Sequence, residues 1–321
     1  MQYFTHNNHF RFGWGSSEYN FEDKSGDYWV DFGRASYTPT SLRSECVRAA
    51  TLIRENINTP LLVCFSGGID SEIIVRSFQE ANISFEVVIM RLNYRDQLNV
   101  NQHDNIYAFD YVKKHNIPYH VVDIDLEYII RNVFEIEADK YKGNYLGILI
   151  HTEITKQFPQ HHCILGGGDL KLKRHRFNGR PAIPGLFIEE GEISLSAIEA
   201  AYRRGMGINN RFFMHTPELM LAWLLDPDVA HWIKYEYAFA GNFTVIDYHG
   251  IKAFVLYKHW PDMTPRPKFN GFEKLTLWNP NKKHEHDSDI IDILERVRIR
   301  YKNNNDIIIS YSDLMNKLKV E

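Results

Sequence analysis

Cysteine is scarce in this chain: it occurs only as Cys46, Cys64 and Cys163, and no two of these form a Cys-x-x-Cys pair. This spacing excludes a disulfide framework and the common zinc and redox motifs, and it favours a reducing, cytoplasmic setting. The first residues lack the basic stretch followed by an apolar one that marks a secretion signal. No apolar run approaches the roughly 18 residues that a membrane helix needs. We therefore expect a cytoplasmic protein with no membrane partner.

An excess of basic residues is also missing. The formal net charge is -4 and the isoelectric point is about 6.4. The surface as a whole therefore does not favour a nucleic-acid partner, although a local basic patch stays open. The 15 histidines include no His-Glu-x-x-His pattern, and we expect no histidine metal site.

The length of 321 residues, 44% of them hydrophobic, fits an α/β core with additions at both ends. Residues 1–58 carry short alternating segments and then a helical pattern that begins after Thr40 or Ser41, which predicts a small β-rich amino-terminal extension with one helix. Residues 59–180 predict the core domain. Residues 181–321 predict a mixed, largely helical carboxyl-terminal lobe for substrate recognition.

Two kinds of pattern divide this carboxyl-terminal lobe. Residues 195–204, 217–225 and 287–300 have helical patterns, and the second of them begins with the helix-start residues Thr216 and Pro217. Residues 243–257 instead alternate on both sides of His249-Gly250 and predict a β-hairpin.

Short apolar runs alternate with helical patterns in the core, at residues 61–65, 85–90, 119–124 and 162–165. Parallel strands joined by helices give a doubly wound α/β sheet, in which ligands bind beyond the carboxyl ends of the strands. Glycine clusters follow the first and the fourth of these runs. The pattern therefore predicts one site between the two clusters.

The loop after the first run has the residue types of a phosphate site. Adjacent glycines before a helix let backbone amides approach an anion, and the flanking serines add hydroxyl donors. A carboxylate among phosphates is repulsive unless a divalent cation lies between them, so the aspartate predicts Mg²⁺ as well as a nucleotide. The predicted nucleotide-binding residues of the loop are Ser66, Gly67, Gly68, Ile69, Asp70 and Ser71.

The loop contains no lysine, unlike the Gly-x-x-x-x-Gly-Lys-Ser/Thr cradle of γ-phosphate chemistry. It resembles the Ser-Gly-Gly-x-Asp-Ser motif of the PP-loop superfamily, also called N-type ATP pyrophosphatases. The resemblance implies that the loop holds the pyrophosphate portion of ATP while an acceptor oxygen of the substrate attacks the α phosphate. ATP and Mg²⁺ are the implied cofactors, with Asp70 as a metal ligand and catalytic residue.

The resemblance also implies roles outside the loop. It places Met90 and Arg91, at the end of the second strand, beside the adenine, and it makes the loop after the fourth strand complete the phosphate and metal site. There, Gly166 and Gly167 would contact the nucleotide and Asp169 fits a second metal ligand. The basic run that follows would neutralise the leaving pyrophosphate, unless it is simply a solvated face. The predicted catalytic cations of this run are Lys171, Lys173 and Arg174, with Arg176 next to them.

Elimination narrows the reaction. Relatives that transfer sulfur require cysteines near the active site or the carboxyl tail, and this chain has no cysteine after Cys163. Residue 2 is Gln2, so the amino-terminal cysteine of the asparagine synthetase glutaminase is missing as well. What remains is adenylation of a carboxylate or carbonyl oxygen of a small-molecule acid, followed by attack of a nitrogen donor. Residues 216–219 and 266–272 faintly resemble the synthetase lobe of asparagine synthetases.

Two alternatives stay open. The first is adenylation of a nucleobase in tRNA, for which Trp260, Arg266, Lys268 and Trp278 would join the basic run. The second is a protein that binds a nucleotide or sulfonucleotide without hydrolysing it.

Overall fold

The computed structural model describes residues 11–18, 25–141, 146–166, 170, 172–175, 183–188, 208–209, 211–238, 248–266, 288–300 and 307–320. Their buried apolar side chains form one cluster, from Phe12 near the amino terminus to Leu318 near the carboxyl terminus. Across these ranges, no helix combines the length and the apolar character needed to cross a bilayer.

The strands and helices are numbered in chain order. The strands are β1 (Arg11–Trp14), β2 (Ser17–Glu18), β3 (Tyr28–Asp31), β4 (Leu61–Cys64), β5 (Glu86–Asn93), β6 (Tyr119–Asp125), β7 (His162–Ile164), β8 (Leu172–His175), β9 (Ile183–Ile188), β10 (Ile208–Asn209) and β11 (Ile307–Ser310). The helices are α1 (Leu42–Asn56), α2 (Ile69–Glu80), α3 (Gln102–Lys114), α4 (Leu126–Ile129), α5 (Glu135–Tyr141), α6 (Leu146–Gln157), α7 (Pro217–Leu225), α8 (Pro227–Ala238), α9 (Tyr248–His259), α10 (Ser288–Arg300) and α11 (Tyr311–Leu318).

The central sheet is parallel, with the strand order β10-β7-β4-β5-β6. All four residues of β4 are buried, as expected for a strand covered on both faces. The predicted doubly wound α/β sheet is therefore confirmed, and the short strand β10 extends it by one strand beside β7. The chain runs outward from β4 to β6 and then returns to β7 on the other side of β4. This reversal makes a topological switch point between β4 and β7.

The amino-terminal extension is an antiparallel sheet of order β2-β1-β3, followed by α1. Phe12 and Trp14 on β1 face inward, alternating with Gly13, and their rings pack edge to face at 6.1 Å. Ser41 caps α1 by accepting a hydrogen bond from the amide of Ser44. Of the two predicted caps, Ser41 is therefore the one used.

Two contacts tie this extension to the carboxyl-terminal lobe. The amide and the hydroxyl of Ser36 both donate to Glu218 on α7, each at 2.7 Å. The amide of Ala35 donates to the carbonyl of Leu318 at 3.0 Å. The two ends of the chain therefore pack on each other, although the core separates them in sequence.

A second, antiparallel sheet has the order β11-β9-β8. Lys173 and Arg174, from the predicted catalytic run, lie on β8, in register with Gly185 and Pro184 of β9. The basic run therefore enters a strand of this second sheet. The domain boundaries at residues 58 and 180 stay predictions.

The predicted β-hairpin over residues 243–257 is wrong, because residues 248–259 form the helix α9. Its buried positions, Lys252, Val255 and Leu256, then Trp260 beyond its end, have helical spacing. A short apolar run cannot be assigned to strand or helix from its pattern alone, and His249-Gly250 was misread as a turn. Residues 239–247 lie outside the described residues, as does the helix predicted over 195–204.

The predicted start of α7 is confirmed. Thr216 accepts a hydrogen bond from the amide of Leu219 at 3.0 Å, and Pro217 occupies the first turn. All residues from Pro217 to Leu224 are buried, so α7 is a core helix enclosed on every side. The predicted helix over 287–300 is also confirmed, as α10.

Replacing the buried cap by Thr216→Ala should lower the free energy of unfolding by about 1–2 kcal/mol, because the amide of Leu219 loses its acceptor inside the core. Thr216→Ser keeps the hydroxyl and should lose less than half as much. Urea unfolding of the three proteins measures this difference. Equal stability of the alanine and serine variants would contradict a capping role.

Candidate functional site

The predicted nucleotide loop lies at the switch point, where β4 ends. Gly67 has a φ of +87°, in the left-handed region that favours glycine. A Cβ atom at this position would also overlap the carbonyl oxygen of Asp104 in the first turn of α3. Gly67 is therefore fixed by its backbone conformation and by close packing, and the loop follows the surface of α3.

The start of α2 presents unsatisfied backbone amides. Gly68 is the residue before the helix, and no side chain of the described residues caps it. The first amides of a helix have no partner within the helix, and they carry the positive end of its dipole. The amides of residues 69–71 are therefore suited to an anion.

Two hydroxyl groups shape the loop. The Oγ atoms of Ser66 and Ser71 lie 3.1 Å apart, the amide of Gly68 donates to Ser66 Oγ, and the hydroxyl of Ser71 donates to the carbonyl of Gly68 at 3.0 Å. Ser66 is exposed and Ser71 is buried. The serines thus brace the loop, and Ser66 remains accessible to a ligand.

Asp70 points toward the carboxyl-terminal lobe, where it meets a lysine. Its Oδ2 accepts a hydrogen bond from Lys252 Nζ on α9 at 2.7 Å, and the lysine side chain is only 11% exposed. The other oxygen, Oδ1, is buried and has no hydrogen-bond partner among the described residues. An unpaired buried carboxylate oxygen costs free energy, so it is a position where a cation would be stabilised.

A second carboxylate in the same turn, Glu72, is neutralised by two arginines. Its oxygens pair with Arg76 at 2.7 Å and with Arg266 at 2.5 Å, and the Glu72 and Arg266 side chains are almost fully buried. Asp262 bonds Arg76 from the outside at 2.6 Å. Bonding to Asp262 and Glu72 outweighs burial and raises the pKa of Arg76. Both acidic groups of the first turn are therefore balanced by cations.

Arg266 also contacts α3, the helix against which the loop packs. Its guanidinium lies over the ring of Tyr107 at 4.7 Å. Burial raises the pKa of Asp104, and the positive charge of Arg266 opposes this shift. Arg266 therefore links α2 to the first two turns of α3, on which Gly67 packs.

Strand β5, predicted over residues 85–90, extends to Asn93. The last residue pair between β4 and β5 is Cys64 with Val88, so Met90, two residues after Val88, lies close to the loop that follows β4. The carbonyl of Met90 accepts hydrogen bonds from the side-chain Nδ2 atoms of Asn101 and Asn105, at 3.0 and 2.8 Å. This bonding holds the end of β5 against α3. Adenine contact through Met90 remains a prediction.

Arg91 bonds a carboxylate on the neighbouring strand. Its guanidinium contacts both oxygens of Asp123 on β6, at 2.9 and 2.5 Å. This bonding lowers the pKa of Asp123, which is half exposed. The Arg91 head group therefore has a partner at the sheet surface, and its role beside adenine remains a prediction.

The end of β7 reaches the loop. A Cβ built on Gly166 would lie 3.6 Å from the Cβ of Ser71, so Gly166, the described glycine of the second cluster, adjoins the loop. Gly167, Asp169 and Lys171 lie outside the described residues, as does Arg176. For Lys173 and Arg174 the backbone alone is described, in β8.

Sequence reasoning did not place at the loop two cations that the structure brings there. Lys252 fell in the segment predicted as a hairpin, and Arg266 was named only as a possible RNA contact and as part of the segment 266–272 that faintly resembles asparagine synthetases. The signal that could have found them is charge balance, since two acidic groups in one helix turn at a phosphate site need nearby cations. Their distance of more than 180 residues in the chain gave no local pattern.

A magnesium ion fits this arrangement only together with phosphate. In the described part of the chain, no three His, Cys, Asp or Glu residues gather as a metal site. Mg²⁺ is commonly held by one or two carboxylates and by substrate phosphates. The unpaired Oδ1 of Asp70, beside the open amides of α2, matches that donor set.

Comparison with known proteins gives little beyond this geometry. No protein-family model matches the chain, and no curated protein matches it. It is similar to the NH3-dependent NAD synthetase of Campylobacter jejuni, with 13% identity and a TM-score of 0.30, over 71% of this chain and 97% of that one. It is also similar to the NMN synthetase of Francisella tularensis, with 12% identity and a TM-score of 0.29, over 73% and 100%. At these TM-scores neither likeness carries weight for the function.

The fold and the loop define the class of protein. The chain has a doubly wound α/β domain in which the sequence Ser-Gly-Gly-x-Asp-Ser is complete between the central strand β4 and the helix α2. The signature stands at the switch point of the sheet, where such folds bind their ligands.

The two adjacent glycines make a matched pair for testing the loop. Gly67→Ala should lower the free energy of unfolding by more than about 2 kcal/mol and abolish ATP binding, because left-handed strain adds to overlap with Asp104. Gly68→Ala should change stability by less than about 1 kcal/mol, since Gly68 has an ordinary extended backbone and its Cβ would make only normal contacts. Denaturant unfolding and ATP titration measure both effects. Similar losses in the two variants would contradict the described loop.

Proposed function

We propose that this protein is an ATP pyrophosphatase-type ligase. It adenylates a carboxylate or carbonyl oxygen of a small-molecule acid, releases pyrophosphate, and passes the activated group to a nitrogen nucleophile, as in asparagine synthetase-like amidation. AMP leaves in the second step.

One observation supports the proposal above all others. The amides at the start of α2, which no side chain of the described residues caps, stand beside Asp70. Within the same residues Asp70 Oδ1 has no hydrogen-bond partner, and Asp70 Oδ2 accepts from the buried ammonium of Lys252. This arrangement brings anion donors and a carboxylate of the first turn of α2 together with a cation from α9. Such a set is suited to a polyphosphate whose charge increases as a bond breaks.

Different groups of the chain have different roles in this reaction. The amides of residues 69–71 and the hydroxyl of Ser66 hold the pyrophosphate portion of ATP. The acid's oxygen attacks the α phosphorus, and the bond to the bridging oxygen breaks so that its electron pair leaves with pyrophosphate. Lys252 stabilises that negative charge. Mg²⁺, held by Asp70, would supply further charge neutralisation. Lys171, Lys173, Arg174 and Asp169 remain proposed contributors.

The nucleobase alternative loses two of its supporting residues. Trp260 is fully buried, and the Arg266 side chain is 3% exposed and bonded to Glu72. Neither can stack on or contact RNA. Sulfur transfer is likewise unsupported, because burial raises the pKa of Cys163 to about 12 and holds its thiol protonated.

The proposal predicts the products of ATP turnover. Incubation with Mg²⁺, ammonia, α-labelled ATP and a panel of carboxylic acids should yield labelled AMP with at least one acid, together with an equal amount of pyrophosphate. Formation of ADP and orthophosphate would refute it. ATP bound tightly but recovered intact with every acid would instead identify a nucleotide-binding protein that does not hydrolyse.

Removing the charge of residue 70 should stop this reaction. We expect Asp70→Asn to lower kcat at least 100-fold and to weaken the Mg²⁺ dependence of ATP binding, because the amide is a poor ligand for a divalent cation. Asp110→Asn, at an exposed carboxylate on α3, is the matched control and should keep full activity. An Asp70→Asn enzyme with unchanged kcat would remove this carboxylate from the site.

Lys252 offers an independent test. Lys252→Met keeps the length of the side chain but removes the charge, and we expect kcat to fall about 100-fold or more with a smaller change in KM, because the charge acts on the leaving pyrophosphate. Lys114→Met, at an exposed lysine on α3, is the control. Weaker ATP binding with an unchanged kcat would show that Lys252 stabilises bound ATP and not the transition state.

A further inference from the structure

Arg266 lies at the junction of α2, α3 and the carboxyl-terminal lobe. Its Nη2 atom bonds Glu72 Oε2 on α2 at 2.5 Å, and its guanidinium lies over the ring of Tyr107 on α3 at 4.7 Å. Its backbone amide donates to the hydroxyl of Tyr257 on α9 at 3.0 Å. One residue therefore contacts three helices around the start of α2.

The charges around Glu72 cancel only when Arg266 is included. Arg76 bonds Glu72 Oε1 through its Nε atom at 2.8 Å, but its Nη1 atom also bonds Asp262 at 2.6 Å. The single positive charge of Arg76 is thus shared between two carboxylates. Arg266 supplies the second positive charge, at the other oxygen of Glu72. Without Arg266, one uncompensated negative charge would remain in the first turn of α2, beside the amides suited to phosphate.

Stability alone does not account for this arginine. The Arg266 side chain is 3% exposed and the Glu72 side chain 4%. A buried ion pair adds little net stability, because the free energy of removing both charges from water offsets their attraction. Arg266 Nε is also buried without a hydrogen-bond partner in the part of the chain that the structure describes, which costs further free energy. We therefore look for the role of this charge at the loop.

Burial also decides how Arg266 can act. So little of its side chain is exposed that it has almost no surface with which to contact a nucleotide. Its charge acts on the phosphates through Glu72, and its packing acts through α3, against which Gly67 lies.

We infer that Arg266 is a positioning residue for Mg·ATP. It compensates the charge of Glu72 and holds α3 at the loop, so that the start of α2 accepts the phosphates. Arg266 sets the affinity for the nucleotide, whereas Lys252 acts on the bond that breaks. The inference rests on the proposed function, because that function places the ATP phosphates at this loop.

Removing the charge of Arg266 should weaken ATP binding and leave the chemical step almost unchanged. We expect Arg266→Met to raise the Kd of Mg·ATP at least tenfold, because an uncompensated charge about 10 Å from the phosphates has an effect of that size at an effective dielectric constant of about 20. At saturating ATP, kcat should stay within about threefold of the wild-type value, since the ground state and the transition state lose the same attraction. Calorimetric titration with Mg·ATP measures the first effect. Pyrophosphate release with an acid that supports turnover measures the second.

Charge rescue separates this role from a merely structural one. Glu72→Gln in the Arg266→Met background removes the excess negative charge and should return the Kd of Mg·ATP to within about threefold of the wild-type value. Glu72→Gln alone should bind Mg·ATP at least as tightly as the wild type. A merely structural ion pair predicts no rescue, because both changes break the same bond. The double variant buries no unpaired charge at this pair, so it decides the question even if Arg266→Met fails to fold.

Arg43 provides a matched control at the other end of α2. It bonds Glu80, the last residue of that helix, at 2.8 Å. Arg43→Met removes the same charge from a carboxylate of the same helix and should change the Kd of Mg·ATP less than twofold. Thermal unfolding of every variant ensures that affinities are compared between folded proteins.

The failures are distinct. Equally tight Mg·ATP binding by the wild type and Arg266→Met would overturn the inference and leave the proposed function standing. No rescue in the double variant would also overturn it, because the arginine would then act without its charge, and so would a fall in kcat at an unchanged Kd. A wild-type protein that does not bind Mg·ATP would overturn the proposed function, and the inference with it.

Discussion

Asp70 and Glu72 stand in the first turn of α2, where the helix dipole and the free amides would receive phosphate. Two carboxylates at that position would repel the ligand if they were unbalanced. Lys252 neutralises one of them and the Arg76–Arg266 pair neutralises the other. The rest of the site depends on this balance, because the amides can attract an anion only where the carboxylate charge beside them is compensated.

Most of the compensating charge comes from the carboxyl-terminal lobe. Lys252 lies on α9 and Arg266 follows that helix. This lobe must therefore be folded and packed on α2 before the charges of Asp70 and Glu72 are compensated. Asp262 and Trp260 strengthen the same contact, through Arg76 and through the carboxylate of Glu80. The candidate site is therefore built jointly by the core sheet and a distant part of the chain.

The prediction succeeded where the determining interactions are local. A buried apolar run ending in Gly-Gly can form few structures other than a central parallel strand followed by an anion-binding helix start. β4, the loop and α2 accordingly lie where their pattern placed them. The cap at Thr216 follows from the adjacent residue types Thr216 and Pro217, which favour the start of a helix. The prediction failed at residues 248–259, because a short segment with His249-Gly250 near its start carries too little pattern to separate helix from strand. Packing in the folded protein, including packing against α8, decides between them.

The sequence by itself determined the class of fold, the place of the candidate phosphate loop and the need for charge compensation around Asp70, since each of these is a property of neighbouring residues and of strand order. Only the tertiary structure decided which cations provide that compensation. Lys252 and Arg266 are brought to α2 from more than 180 residues away by packing of the hydrophobic core, and contacts at such separation leave no periodic signal in the chain.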